Sequence, residues 1–179
     1  MSSPVNHILV DANIARSARD PARHPTSAAC WTLARLLYSK DCATGAVMTP
    51  TLRDEWRKHA SPTMVGWLAS MESRKRVRKE KDLPVRDLRA AVAEIEDPGV
   101  RGAVEKDLHL SEAALMHGVP VASQDDRQRS FLTSLGASYP LASSIQWFNP
   151  VTDADWEVWV RGGCPDRTSY RCRADTELS

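Results

Sequence analysis

The chain alternates short apolar runs with longer amphipathic stretches, and this alternation restricts the fold more than any other feature. Ile8–Val10, Ala46–Met48, Val119–Ala122 and Ile145–Phe148 read as strands. Between them, Ser27–Tyr38, the stretch from Pro50 to about His59, Pro62 to about Met71, Pro84–Ile95, Val100–His117, Asp125–Leu135 and Asp153–Val160 read as helices. Thr49-Pro50 and Ser61-Pro62 each place an oxygen-bearing cap before a proline at the first helical position. Asp97-Pro98-Gly99 stops one helix and Gly118 closes another. Strands that alternate with helices predict an α/β fold with a parallel sheet. In open sheets of this kind, sites form beyond the carboxyl ends of the strands.

Two aspartates fall at such ends. Asp11 follows Ile8-Leu9-Val10, and Asp125 follows Val121-Ala122-Ser123-Gln124. Either could simply cap the next helix. Two further acids fall beside apolar stripes. Glu55 shares a helical face with Leu52, Trp56 and His59, while Arg53, Asp54, Arg57 and Lys58 point elsewhere. Asp107 precedes Leu110 and Ala114 at helical spacing, on a helix whose Glu105 and Glu112 are free to face water. An inward-facing carboxylate is costly unless paired, so a buried ion pair is the plain alternative for Asp107. Converging carboxylates need a compensating cation, and an all-oxygen set selects Mg²⁺ or Mn²⁺. Such an ion can orient water and phosphate for in-line displacement.

With these residues in view, Val10-Asp11-Ala12-Asn13 resembles the first motif of the PIN-domain nucleases. Thr49-Pro50 leading to Glu55 fits that family's second acidic motif. Lys106–Leu110 with Ala113-Ala114-Leu115, then Gly118–Asp125, resembles the third and fourth, and Ile145–Pro150 resembles the closing strand and proline. The resemblance spans about residues 5–160. It implies a three-layer α/β/α sandwich around a central parallel sheet, and metal-dependent hydrolysis of RNA leaving a 5′-phosphate. It assigns Asp11, Glu55, Asp107 and Asp125 to the metal, with Asn13 and Ser123 as hydrogen-bonding supports. Asp126 adjoins Asp125 and competes for the fourth position, which spacing awards to Asp125. Position 123 is serine where the family more often has threonine. Many small bacterial members are toxins, so a protein antitoxin joins RNA as an implied partner, and a homodimer is a further candidate.

Composition adds boundaries. A formal net charge of +1 supplies no global field for nucleic acid. The local exception is the run Arg74-Lys75-Arg76-Val77-Arg78-Lys79, which reads as a helix end or loop. Beside a carboxylate site its Arg74, Lys75, Arg76, Arg78 and Lys79 are candidate RNA contacts. No stretch approaches the ~18 apolar residues of a membrane span and no secretion signal is visible, so cytoplasmic residence is expected. The spacing of Cys30, Cys42, Cys164 and Cys172 makes no zinc set, and core thiols are expected, with a Cys164–Cys172 bridge as the alternative. Trp147, Trp156 and Trp159 are read as core, and Trp56 and Trp67 as helix packing rather than base-stacking platforms. His109 and His117 are read as structural or solvated. Gly162-Gly163 ends a nuclease domain of residues 1–162, leaving 163–179 as a loosely held polar tail.

A rival from another class is a PIN-like module that binds RNA or a protein without cleaving. The four acids, all present, favour the enzyme. A haloacid-dehalogenase-like phosphatase needs a second Asp two positions after the first, where this chain has Asn13.

Overall fold

A computed structural model of the chain describes residues 6–174. Five strands, β1 (Asn6–Val10), β2 (Thr44–Met48), β3 (Val77–Lys79), β4 (Val121–Ala122) and β5 (Trp147–Phe148), form one sheet in the order β3-β2-β1-β4-β5. Every pairing within it is parallel. Helices α1 (Ala12–Ser17), α2 (Pro25–Tyr38), α3 (Pro50–His59), α4 (Pro62–Ser73), α5 (Arg86–Ala93), α6 (Pro98–Lys106), α7 (Leu108–His117), α8 (Asp126–Leu135) and α9 (Trp156–Arg161) flank the sheet. The α/β fold with a parallel sheet expected from the alternation of elements is therefore observed, in the three-layer α/β/α form that the resemblance implied.

The strand order explains where a site can form. From β1 the chain moves outward to β2 and β3, then returns to β4 on the other side of β1. The crossovers leaving β1 and β4 diverge, opening a crevice beyond their carboxyl ends. The ladder continues one step past both strands: Asp11 N donates to Ala122 O at 3.0 Å and Ser123 N to Phe148 O at 3.0 Å. This pins the backbone that carries both acidic motifs.

Local chemistry sets the helix ends. Thr49 Oγ1 accepts from Leu52 N at 3.3 Å and Ser61 Oγ from Met64 N at 3.3 Å, each ahead of its proline. Gly118 ends α7 with φ of 61°, a left-handed conformation that a side chain disfavours. Ile8 and Leu9 of β1 and Trp147 and Phe148 of β5 are fully buried in the main core, and a smaller core of Leu88, Val92, Val104, Leu108 and Leu135 lies under α5–α8. Trp156 and Trp159 pack on Phe148 as core. Trp56 and Trp67 stack on each other with ring centroids 5.9 Å apart. Both are buried and donate to carbonyls, so neither offers a face to a base.

Four readings of the sequence need correction. The helix expected over Val100–His117 is broken at Asp107, whose φ of −107° and ψ of 15° separate α6 from α7. The basic run contains a strand, β3, because Val77, Arg78 and Lys79 pair with Ala46, Val47 and Met48 of β2. Glu112 does not face water: it is 4% exposed, accepts from Val85 N and is gripped by both Nε and Nη2 of Arg89. Finally, the segment after Gly163 is packed. Cys164, Tyr170 and Cys172 are buried, and Gln146 bridges Arg171. The boundary drawn at 162/163 thus falls inside the packed unit, and residues 175–179 of the expected tail lie outside the described residues. All four cysteines are free and buried, as core thiols.

Candidate active site

Asp11, Glu55, Asp107 and Asp125 line a single cleft of about 230 Å³ at the carboxyl ends of β1 and β4. Each arrives by a different local device. Asp11 leaves β1 and caps α1, with Oδ1 accepting from Asn13 N at 3.2 Å. Asp125 caps α8, accepting from Gln128 N at 2.9 Å. The capping reading of both acids is therefore correct, and it is what points them at the crevice. Asp107 enters because the helix breaks there, freeing its side chain from helical geometry. Glu55 rides on α3, which is tied to the sheet by the next residue: Trp56 Nε1 donates to Val10 O at 2.9 Å. Val10 immediately precedes Asp11, so one hydrogen bond couples the placement of two of the four acids.

Asn13 and Ser123 sit as supports. Ser123 Oγ donates to Asp11 Oδ2 at 2.6 Å and accepts from Asn13 Nδ2 and Asp125 N, both at 3.0 Å. Asn13 Oδ1 accepts from Gln124 N at 3.2 Å. The network joins the β1 and β4 ends through side chains. Asp126 is exposed and accepts from Asn149 Nδ2 at 3.0 Å, and it does not line the cleft. Of the adjacent pair, Asp125 is the cleft residue.

Sequence reasoning missed three contributors. His109 Nε2 stands 3.2 Å from Glu55 Oε2. Arg16 and Lys106 line the same cleft. His109 and Lys106 each carried a signal, two residues after and one residue before Asp107; Arg16 carried none in one dimension. His59 also lines the cleft but is exposed rather than part of a buried stripe.

The basic run is not at the site. Arg74, Lys75 and Arg76 precede β3, at the amino end of the sheet. Arg76 is 4% exposed, and it donates to the carbonyls of Leu37, Cys42 and Thr44, each at 2.8 Å. It is a structural strut, not an RNA contact. Arg74 lies over the Tyr38 ring. Arg78 pairs with Glu80 at 2.8 Å and Lys79 reaches Glu72 at 3.6 Å. None of the five lines the cleft.

The acids repel one another. Burial pushes the Asp107 carboxyl up to about 6, helped by Asp11, opposed by Lys106, and helped further by Asp125 and Glu55. Burial likewise raises Asp11, against its hydrogen bonds from Ser123 and Asn13 and with Glu55 adding to the rise. Burial pulls the His109 imidazole down, but Glu55, Asp107 and Asp11 outweigh it and hold it above its ordinary value. Among the described residues no three His, Cys, Asp or Glu side chains are already drawn around one point; the carboxylates surround a volume. Oxygen donors whose charges crowd in this way fit a hard divalent cation, which would relieve the repulsion.

This crowding has a consequence for pH. The folded Asp107 binds its proton more tightly than the unfolded chain does, so between pH about 4 and 6 the native state holds more protons. Stability then falls as pH rises through that window. In chelator, melting of the parent should drop across it by more than melting of Asp107→Asn does. Parallel curves would show that Asp107 binds its proton alike in the folded and unfolded chain.

No protein-family model, curated protein or solved structure matches this chain.

Proposed function

We propose that this protein is a Mg²⁺- or Mn²⁺-dependent endoribonuclease of the PIN-domain type. One observation carries the reading: four carboxylates from four separate elements converge on one cleft at the point where the strand order reverses. A lone acid there would be a helix cap; here burial and neighbouring acids together raise the proton affinity of Asp11 and Asp107, more than capping requires.

Asp11, Glu55, Asp107 and Asp125 would hold the ion, directly or through water. A divalent ion bound there polarises a phosphoryl oxygen and makes a nucleophile available at neutral pH. The remaining work belongs to the chain. Ser123 and Asn13 keep the Asp11 carboxylate in one orientation, and Trp56 keeps α3, and so Glu55, against β1. His109 stands beside Glu55 and partly offsets its charge. Hydrolysis adds water across the P–O3′ bond, placing hydroxide on phosphorus and a proton on the leaving 3′ oxygen, and so leaves a 5′-phosphate. A toxin role, with a protein antitoxin as partner, is the finer form of the proposal and rests on the motif resemblance.

The test is incubation of end-labelled RNA with purified protein in Mg²⁺, in Mn²⁺ and in chelator. Cleavage should require the ion and yield 5′-phosphate ends. Cleavage that continues unchanged in chelator would sink the proposal. RNA that is bound but left intact with every ion would favour a binding module instead.

A further inference from the structure

We infer that Arg16 and Lys106 are the contacts for the phosphates on either side of the scissile one, so that the substrate is an internal bond of a polynucleotide threaded through the cleft. The inference rests on the nuclease reading and deepens it.

Two cations line a cleft that also holds four carboxylates, yet neither forms an ion pair with any acid among the described residues. Depth explains this. Asp11 is 6% exposed, at the floor, while Arg16 and Lys106 are exposed, at the rim. Both charges are open to solvent and so to a third party, although Lys106 also acts on the adjacent Asp107. A polyanion approaching the acids is repelled by them, and rim cations are what can offset that repulsion. Arg16 lies in the last turn of α1, which packs on α2 and α3, whereas Lys106 ends α6, which packs on α5, α7 and α8. The two cations thus reach the opening from separate helix groups. That placement suits a chain with phosphate on both sides of the reacting bond better than a terminal phosphate. The run 74–79 does not compete for the role, because none of its basic side chains lines the cleft.

The experiment is a salt titration of single-stranded RNA binding, by fluorescence anisotropy in Ca²⁺, on an Asp11→Asn background that prevents cleavage. Each phosphate contact on a single strand contributes about −0.7 to the slope of log affinity against log salt. Arg16→Ala and Lys106→Ala should each make the slope shallower by about 0.7 and weaken binding about eightfold at 50 mM salt, counted from 1 M. Arg16→Lys should restore the slope, and Arg74→Ala should match the parent. On the wild-type background, Mn²⁺ should still raise the melting temperature of both alanine variants at least as much as the parent's, because removing a positive charge beside the acids favours a cation. That result separates a substrate contact from a damaged ion site. The preference for a hexanucleotide over a dinucleotide, which has no flanking phosphates, should shrink in the double variant. Wild-type cleavage with parental slopes in both variants would overturn this inference and leave the nuclease reading standing. Neither binding nor cleavage of RNA by the parent would overturn both.

Discussion

Asp11→Asn should abolish RNA cleavage and leave the fold intact. The substitution keeps the shape and an acceptor for the α1 cap while removing one ligand charge. Losing even an outer partner of a metal ligand costs about 10–100-fold, so losing a ligand should exceed that range. The charge being removed is 6% exposed and is disfavoured by burial despite its hydrogen bonds. An amide must give up one of the two acceptances that Asp11 makes, from Ser123 or from Asn13, which offsets part of the gain. In chelator the variant should therefore melt no lower than the parent. Adding Mn²⁺ reverses the order. An ion that binds only the native state at ~100 times its dissociation constant contributes about 2.7 kcal/mol, or roughly 5–10 °C for a domain of this size. The variant should show only a fraction of that shift. Equal shifts in both proteins would remove Asp11 from the ion site, and full activity would remove it from the reaction.

Arg76→Ala should lower the melting temperature of the protein sharply rather than weaken RNA binding. Arg76 bridges three carbonyls, on α2, on the α2–β2 connection and at the start of β2. Deleting it leaves these buried acceptors unpaired, at about 1–3 kcal/mol each before relaxation. A net loss of about 3–5 kcal/mol is expected, and a melting temperature lower by roughly 6–20 °C. Arg76→Lys should not rescue, because a point ammonium cannot reproduce the planar fork that donates through both Nε and Nη2. Thermal melting of the two variants decides the matter. A parental melting temperature in Arg76→Ala would mean that the carbonyls find water, and that the strut is dispensable.

Arg76 also shows why a basic run misleads when read in one dimension. Its neighbours Arg74, Lys75, Arg78 and Lys79 share its charge, and sequence proximity to α4 suggested a place at the mouth of the site. The sheet sends them elsewhere: Ala46 N donates to Arg76 O at 2.9 Å, and the strand that follows lies along β2. Two guanidinium groups of equal formal charge then have opposite fates, Arg76 sealed under β2 and Arg16 open at the cleft rim. Burial, which distinguishes them, depends on what packs over each, and no local pattern encodes that.

Asp107 is a second instance. Its spacing to Leu110 and Ala114 suggested an inward position on a continuous helix. It does face inward, but through a break in the helix. Glu112, at a position that looked solvated, is instead the paired and buried acid of that region. Helical periodicity gives direction around an axis, and a break resets that axis.

What the sequence by itself determined was the set of elements and the ends they present. Short β-rich runs between capped helices can bury their apolar faces only as a covered parallel sheet, and an acid placed after a strand is carried to its carboxyl edge. Asp11 and Asp125 were legible for that reason, whereas Asn13 and Ser123 came from the motif resemblance. The tertiary structure alone decided which edges meet. Only the β3-β2-β1-β4-β5 order sets β1 against β4, and only the packing of α3 on α7 brings Glu55 to His109. Arg16 and Lys106 face the same acids from separate helix groups. Such juxtapositions arise from contacts between residues far apart in the chain, and their energies are summed over the whole core rather than written at any one position.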